Sequence, residues 1–352
     1  MEGTAKKVLK YSLFFLLAAA LLFLAFRKVE WESFWSALKS CSWGYVFLSM
    51  CFGVLALWLR GLRWRQLLLP VDDATERLTC FNAVNISALV NLVLPRVGEF
   101  VRCGFITARS RKDPSCPEGE NRRLASYDKV LGTAALERTA DLLAMALILG
   151  IFLVCTYRRF GTFFSENIFG SAAGNISFLK IAVLAAVVLL AALSITAVVA
   201  FAGKVKFLAR IKAFCKGLWQ GFASCIRMKG AWRFFLLTAM IWACYWMMSA
   251  STLWAVQGIT STDPSLAATI AKVQDLNLLD ALFLMLAGSL SSIVPVPGGF
   301  GAFHFIVAGA ISTVYGIPFE FGIVFATISH EAQTITQILC GALSYVSEST
   351  RK

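Results

Sequence analysis

Charge is the first thing this chain lacks. Only 15% of its 352 residues are Asp, Glu, Lys or Arg, where soluble domains carry about 25%. With 58% hydrophobic residues, a compact soluble core could not hide the apolar surface. Acid is scarcer than base, 20 Asp and Glu against 33 Lys and Arg. The excess sits between apolar runs, which points to topology signals and anionic lipid headgroups, not to nucleic acid. Histidine is nearly missing, with two residues, and none of the ten cysteines forms a CxxC pair. That excludes the usual zinc motifs and any disulfide framework, so neither metal nor cofactor is expected. No Gly-rich phosphate loop and no Ser-His-Asp pattern is visible, so no catalytic residue is assigned and an enzyme is not expected.

What is present is a series of apolar runs, near 11–26, 43–59, 78–94, 131–156, 176–202, 232–256, 276–294, 300–316 and 319–346. A span takes about 20 residues of helix, and backbone in lipid must satisfy its own hydrogen bonds. The fold class is therefore all-α, a polytopic helical membrane protein forming one transmembrane domain over 1–352. Lys6, Lys7 and Lys10 before Tyr11–Phe26 resemble a signal peptide. Arg27 and Lys28 follow with no cleavage pattern, so an uncleaved first span is expected.

Lys and Arg concentrate at the N-terminus, in 60–77 (Arg60, Arg63, Arg65, Arg77), in 109–129 and in 203–231. This distribution puts both termini in the cytoplasm. It requires 78–108 to enter and leave on one side, as a helix–break–helix hairpin broken at Pro95, Arg96 and Gly98. The segment 276–316, broken at Pro295-Val296-Pro297-Gly298-Gly299, starts and finishes outside, either as a second hairpin or as two full spans. The stretch 203–230 carries Phe207, Leu208, Ile211, Phe214, Leu218, Phe222 and Ile226 at helical spacing among Lys and Arg, which predicts a basic interfacial helix.

The two breaks align at an offset of 200 residues. Pro95 matches Pro295, Gly98 matches Gly298 and Phe100 matches Phe300, followed by Phe105, Ile106 and Ala108 with Phe305, Ile306 and Ala308. Discontinuous helices that open on opposite sides are the mark of inverted repeats with a binding site between the breaks. The expected arrangement is a first repeat over 43–156, a connector over 157–231 with one span and the basic helix, and a second repeat over 232–346.

Polar residues at membrane depth mark the candidate substrate site. Asn91, Arg96, Glu99 and Arg102 lie at the first break, with Asn82 and Asn85 before it. Glu137, Arg138 and Asp141 share the next run, and Pro297, Gly298, Gly299 and His304 form the second break; His330 and Glu331 follow. Arginine forks and a half-helix N-terminus suit a phosphate-bearing headgroup. The plainer alternatives are that Arg96 or Arg102 pairs with Glu99, that Arg138 pairs with Asp141, and that Glu137 cross-links the hairpin.

Asn91-Leu-Val-Leu-Pro95-Arg96-Val-Gly98-Glu99 with Arg102, Thr133 through Glu137-Arg138 to Asp141, Pro297-Gly298-Gly299-Phe300-Gly301 and Arg63-Trp64 together resemble the lysylphosphatidylglycerol synthase transmembrane-region family over about residues 45–345. The resemblance implies a flippase-like module that moves lipids between leaflets, with Arg96, Glu99, Arg102, Glu137, Arg138 and Asp141 lining or bracing the headgroup path. The family commonly has Glu where this chain has His304. The soluble aminoacyl-transfer domain of full-length synthases has no counterpart here, so synthase activity is not expected. The expected role is a flippase or transporter in the bacterial cytoplasmic (inner) membrane for an anionic or polyprenyl-phosphate-type lipid. A membrane-embedded transferase using a lipid-linked donor, or a non-transporting partner of a membrane enzyme, is the alternative. Homo-oligomerisation stays open.

Overall fold

The computed structural model describes residues 15–27, 29–72, 75–112, 126–156, 230–259 and 264–351. The expected span 176–202, the basic interfacial helix over 203–230 and most of the 109–129 loop lie outside them. The described residues contain α-helices, two short 3-10 turns and no strand: α1 (Phe15–Phe26), α2 (Trp31–Ser40), α3 (Trp43–Leu68), α4 (Arg77–Val93), α5 (Gly98–Lys112), α6 (Tyr127–Cys155), α7 (Ala231–Gln257), α8 (Pro264–Gln274), α9 (Leu278–Leu290), α10 (Ala302–Tyr315) and α11 (Phe319–Thr350). The chain forms two compact units, Met1–Glu137 with Trp232–Lys352, and Arg138–Ala231.

Among the described residues, four segments are long and apolar enough to cross a membrane: Trp43–Leu68, Tyr127–Cys155, Ala231–Gln257 and Pro297–Tyr315. The burial pattern fits the same medium. Large apolar side chains lie exposed: Phe47, Val54 and Leu55 on α3, Trp232, Phe235 and Leu236 on α7, Ile335, Ile338 and Leu343 on α11. Polar residues of those helices point inward, among them Ser49, Arg63, Thr238, Ser251, Ser329, Thr334 and Thr336. In water this inside-out arrangement would be costly. In lipid it places each side chain in its favourable medium. Within the second unit, α6 exposes Leu142, Leu143, Leu147, Ile151 and Val154 in the same way.

Two expectations about loops are corrected. The apolar run from 43 does not end near 59. α3 continues to Leu68 and carries Arg60, Arg63 and Arg65 with it. Good helix-forming residues run to Leu68, and each of these arginines finds a partner, so the charges do not end the helix. Arg65 Nε, for example, donates to the Thr75 carbonyl at 2.7 Å. These three are not free loop cations, and a topology count cannot use them as such. The segment 27–42 is not a loop either: it holds α2, whose Trp31 and Trp35 are exposed, as interfacial tryptophans are.

The first break forms as expected. α4 and α5 pack against each other around the turn Leu94–Val97. Arg96 takes a left-handed φ of 64° there, the irregular step that proline and its neighbours impose. The second break lies between α9, of 13 residues, and α10, of 14 residues, which also pack together. Each helix is about 20 Å long at about 1.5 Å per residue; with the Pro297–Gly299 turn counted, the second reaches the 19 residues of a candidate span. The irregular stretch between them includes Gly298 at φ 59°, so here too two helices turn back on each other at a break. α4 also packs against the Pro297–Gly299 turn, α3 against α4 and α11, and α10 against α11.

Gly98 shows how tightly the first hairpin closes. A Cβ on it would stand 2.1 Å from the Ser87 carbonyl oxygen of α4. Gly132, inside α6, has nothing within 4 Å of such a Cβ. Gly98→Ala should therefore destabilise the detergent-solubilised protein by about 1–3 kcal/mol through overpacking. Gly132→Ala should leave it unchanged or raise stability by about 0.5–1 kcal/mol. Thermal unfolding of the two variants side by side checks the contrast.

Candidate functional site

At the tip of the first hairpin, the Asn91 side chain ties the two helices together. Its Oδ1 accepts from the Gly98 amide at 2.8 Å, and its Nδ2 donates to Glu99 Oε2 at 3.2 Å. Asn91 thus serves one of the orphan amides at the start of α5 and orients Glu99 as well. Arg96 is exposed at the turn, and its Nη2 lies 3.4 Å from the carbonyl oxygen of Ser292. The tip of the first hairpin therefore reaches the beginning of the second break. On the other side of that junction, an ideal Cβ on Gly298 would be 3.4 Å from Leu92 Cδ2.

Below the tip lies a buried ionic cluster. Glu137, on α6, has no exposed side-chain surface. Its Oε2 is 2.7 Å from Arg102 Nη1 of α5, and its Oε1 is 3.1 Å from Arg63 Nη2 of α3. Arg60 Nε stands farther off, at 3.8 Å. Arg63 Nη1 also donates to Thr238 Oγ1 of α7 at 3.2 Å. The Arg102 guanidinium lies over the Trp64 ring at 4.4 Å, and the Trp64 indole N–H donates to Thr133 Oγ1 at 3.1 Å. Three helices thus meet on one carboxylate and a fourth joins through Arg63, while an aromatic face takes up part of the charge that the carboxylate leaves uncovered.

These positions change how the site is divided. Arg102 and Glu137 are buried against each other, so they brace the hairpin and present nothing to a ligand in this conformation. Arg102 meets Glu137, while Glu99 meets Asn91. Arg138 and Asp141 lie in the second unit, within 4.0 Å of each other. Asn82 and Asn85 turn toward α11, to Glu348 at 2.7 Å and Ser344 at 2.9 Å. Pro297, Gly298 and Gly299 form the second turn, and His304 sits buried in the first turn of α10 near His330 and Glu331. The exposed or half-exposed polar groups at the junction of the tips are Arg96, Asn91 and Glu99.

Arg63 was not among the sequence candidates for the site. An arginine at the end of an apolar run reads as a loop charge, and its partner lies 74 residues away. Its neighbour Trp64, fully buried, was the available signal: a bulky aromatic next to a cation at helical spacing from the apolar run.

Removing one partner of a buried ion pair strands the other, at a cost of about 3–5 kcal/mol. Glu137→Gln should therefore lower stability by roughly that amount. Arg138→Ala removes a partly exposed pair and should cost about 1 kcal/mol or less. Unfolding midpoints and yields of folded protein from matched preparations test the difference.

Neither a curated protein nor a solved structure matches the chain. One family model does, that of the lysylphosphatidylglycerol synthase TM region, over residues 11–341. With the breaks, the buried Arg–Glu cluster and the helical architecture in place, the chain is a multi-pass membrane protein tied to lipid handling, and it belongs to the lysylphosphatidylglycerol synthase TM region family.

Proposed function

We propose that this protein transports a lipid with an anionic or phosphate-bearing headgroup between the leaflets of the bacterial cytoplasmic membrane, without catalysing a covalent reaction and with both termini in the cytoplasm. The observation that carries this reading is the meeting of the two hairpin tips, Arg96 with the Ser292 carbonyl. Discontinuous helices whose breaks converge provide polar backbone and helix ends at depth, where a headgroup must be held while its chains stay in lipid. The offset of 200 residues between the breaks fits two inverted repeats that exchange roles as access alternates.

Arg96 is the residue suited to read the headgroup. It is a cation with a planar fork of donors, exposed at the junction, and its bond to Ser292 is long enough at 3.4 Å to be exchanged for a phosphate. Glu99 and Asn91 set the shape of the turn that carries it. Arg102, Arg63 and Glu137 supply the rigid support that keeps the turn from collapsing when Arg96 changes partner.

The test is leaflet exchange in liposomes containing purified protein, across a panel of anionic glycerophospholipids and polyprenyl phosphates, with and without a proton gradient. One class should be transported, and Arg96→Ala should slow it about tenfold or more, the loss of a charge-assisted contact, at unchanged thermal stability. A full rate in Arg96→Ala would remove its headgroup role. Exchange of no lipid under either condition would favour a transferase or a partner subunit.

A further inference from the structure

The only two histidines of the chain, 26 positions apart, come together beside the second break. His304 is in the first turn of α10, and His330 is on α11 next to Glu331. The imidazole centroids are 5.1 Å apart. His330 Nε2 lies 2.9 Å from the Gly298 carbonyl oxygen. A carbonyl only accepts, so Nε2 carries the proton, and in the neutral ring Nδ1 is a lone pair. That lone pair lies 3.3 Å from Glu331 Oε1. Two acceptors at that separation repel unless a positive species lies between them.

His304 raises the same demand. It is 1% exposed, and among the described residues its imidazole has no hydrogen bond. Its Nδ1 is buried without a partner, and its Nε2 stands 3.9 Å from the same Glu331 oxygen. A buried imidazole left this way is unusual in a folded protein.

We propose that His304, His330 and Glu331 form a binding site for a divalent transition-metal ion of the zinc class. One ligand atom from each residue lies within 4.8 Å of the others. Metal–ligand bonds of about 2.0–2.2 Å in a tetrahedron put ligand atoms roughly 3.4 Å apart, and the observed 3.3 and 3.9 Å bracket that value. Two imidazoles and a carboxylate suit zinc-class ions and leave a fourth position open. The Gly298 carbonyl holds the far side of His330, the outer support that fixes a ligating ring and its tautomer. Phe26, Phe300 and Phe303 pack around the two rings, and the Glu331 side chain, 39% exposed, leaves the ion a way in. A bound ion would tie the start of α10 to α11, with the second tip held through His330.

The site can be tested without any transport assay. The full chain, purified in detergent with no polyhistidine tag, is titrated with Co²⁺, followed by visible absorption, and then with Zn²⁺. One equivalent of Co²⁺ should give a tetrahedral band without thiolate charge transfer, and Zn²⁺ should displace it. His304→Ala and Glu331→Gln should each weaken binding by about tenfold or more, and Zn²⁺ should raise the unfolding midpoint of the parent protein but of neither variant. Glu331→Gln guards against a folding failure in the histidine variant, since Glu331 is partly exposed. Absence of the band, which is the result if the cluster holds only a proton, overturns the proposal. So does equal binding by parent and Glu331→Gln, or a band with thiolate character.

Discussion

The arrangement depends on one carboxylate. Glu137 is fully buried, and an ionised group there would cost several kcal/mol alone. Arg102 at 2.7 Å and Arg63 at 3.1 Å make its burial tolerable. The same contacts fix three helices to one another, and Thr238 adds a fourth through Arg63. Along the middle of the return helix of the first hairpin, between Asn91 at its start and Arg109 near its end, apolar contacts alone would not set a register in lipid, because lipid competes for them equally. The buried Arg102–Glu137 ion pair does set one, so the position of the hairpin tip follows from the pair beneath it.

The second hairpin is secured differently. At its base, Asn277 and Asp280 form a capping box at the start of α9, and Tyr315 at the end of α10 donates to Asp280 at 3.0 Å. At its tip, His330 bonds the Gly298 carbonyl. Both hairpins thus have a basic residue on the return helix facing an acid on a later long helix: Arg102 with Glu137, and His304 with Glu331. Both side chains of the first pair are buried. In the second, His304 is buried and Glu331 is partly exposed.

The breaks were legible because proline and glycine act locally. Pro95, Gly98, Pro295 and Gly298 break helices whatever surrounds them, and their common offset needed no structure to be seen. Asn91 and Arg96 were legible as polar residues at the first tip for the same reason, lying beside a break. The extension of α3 through Arg60 and Arg63 was hidden, since a run of arginines after apolar residues has the composition of a loop and only the distant Glu137 explains its burial. The pairing of Arg102 with Glu137 in preference to the nearby Glu99 was hidden too, because sequence proximity favoured Glu99 while the helix face favoured Glu137. The convergence of His304, His330 and Glu331 could not be read from spacing at all, as it arises from the packing of α10 on α11.

Passage of a headgroup through this junction requires the tips of the two hairpins to separate. The direct measurement is lipid exchange by a variant with cysteines at positions 96 and 292, in a background whose native cysteines are replaced, before and after treatment with a short bifunctional thiol reagent. Transport rests on other groups once Arg96 is replaced, so residual exchange before treatment is the reference. The tips should cross-link readily, and cross-linking should stop that exchange, with recovery when a cleavable reagent is cut. Failure to cross-link, or exchange that continues unchanged in the cross-linked protein, would contradict the account.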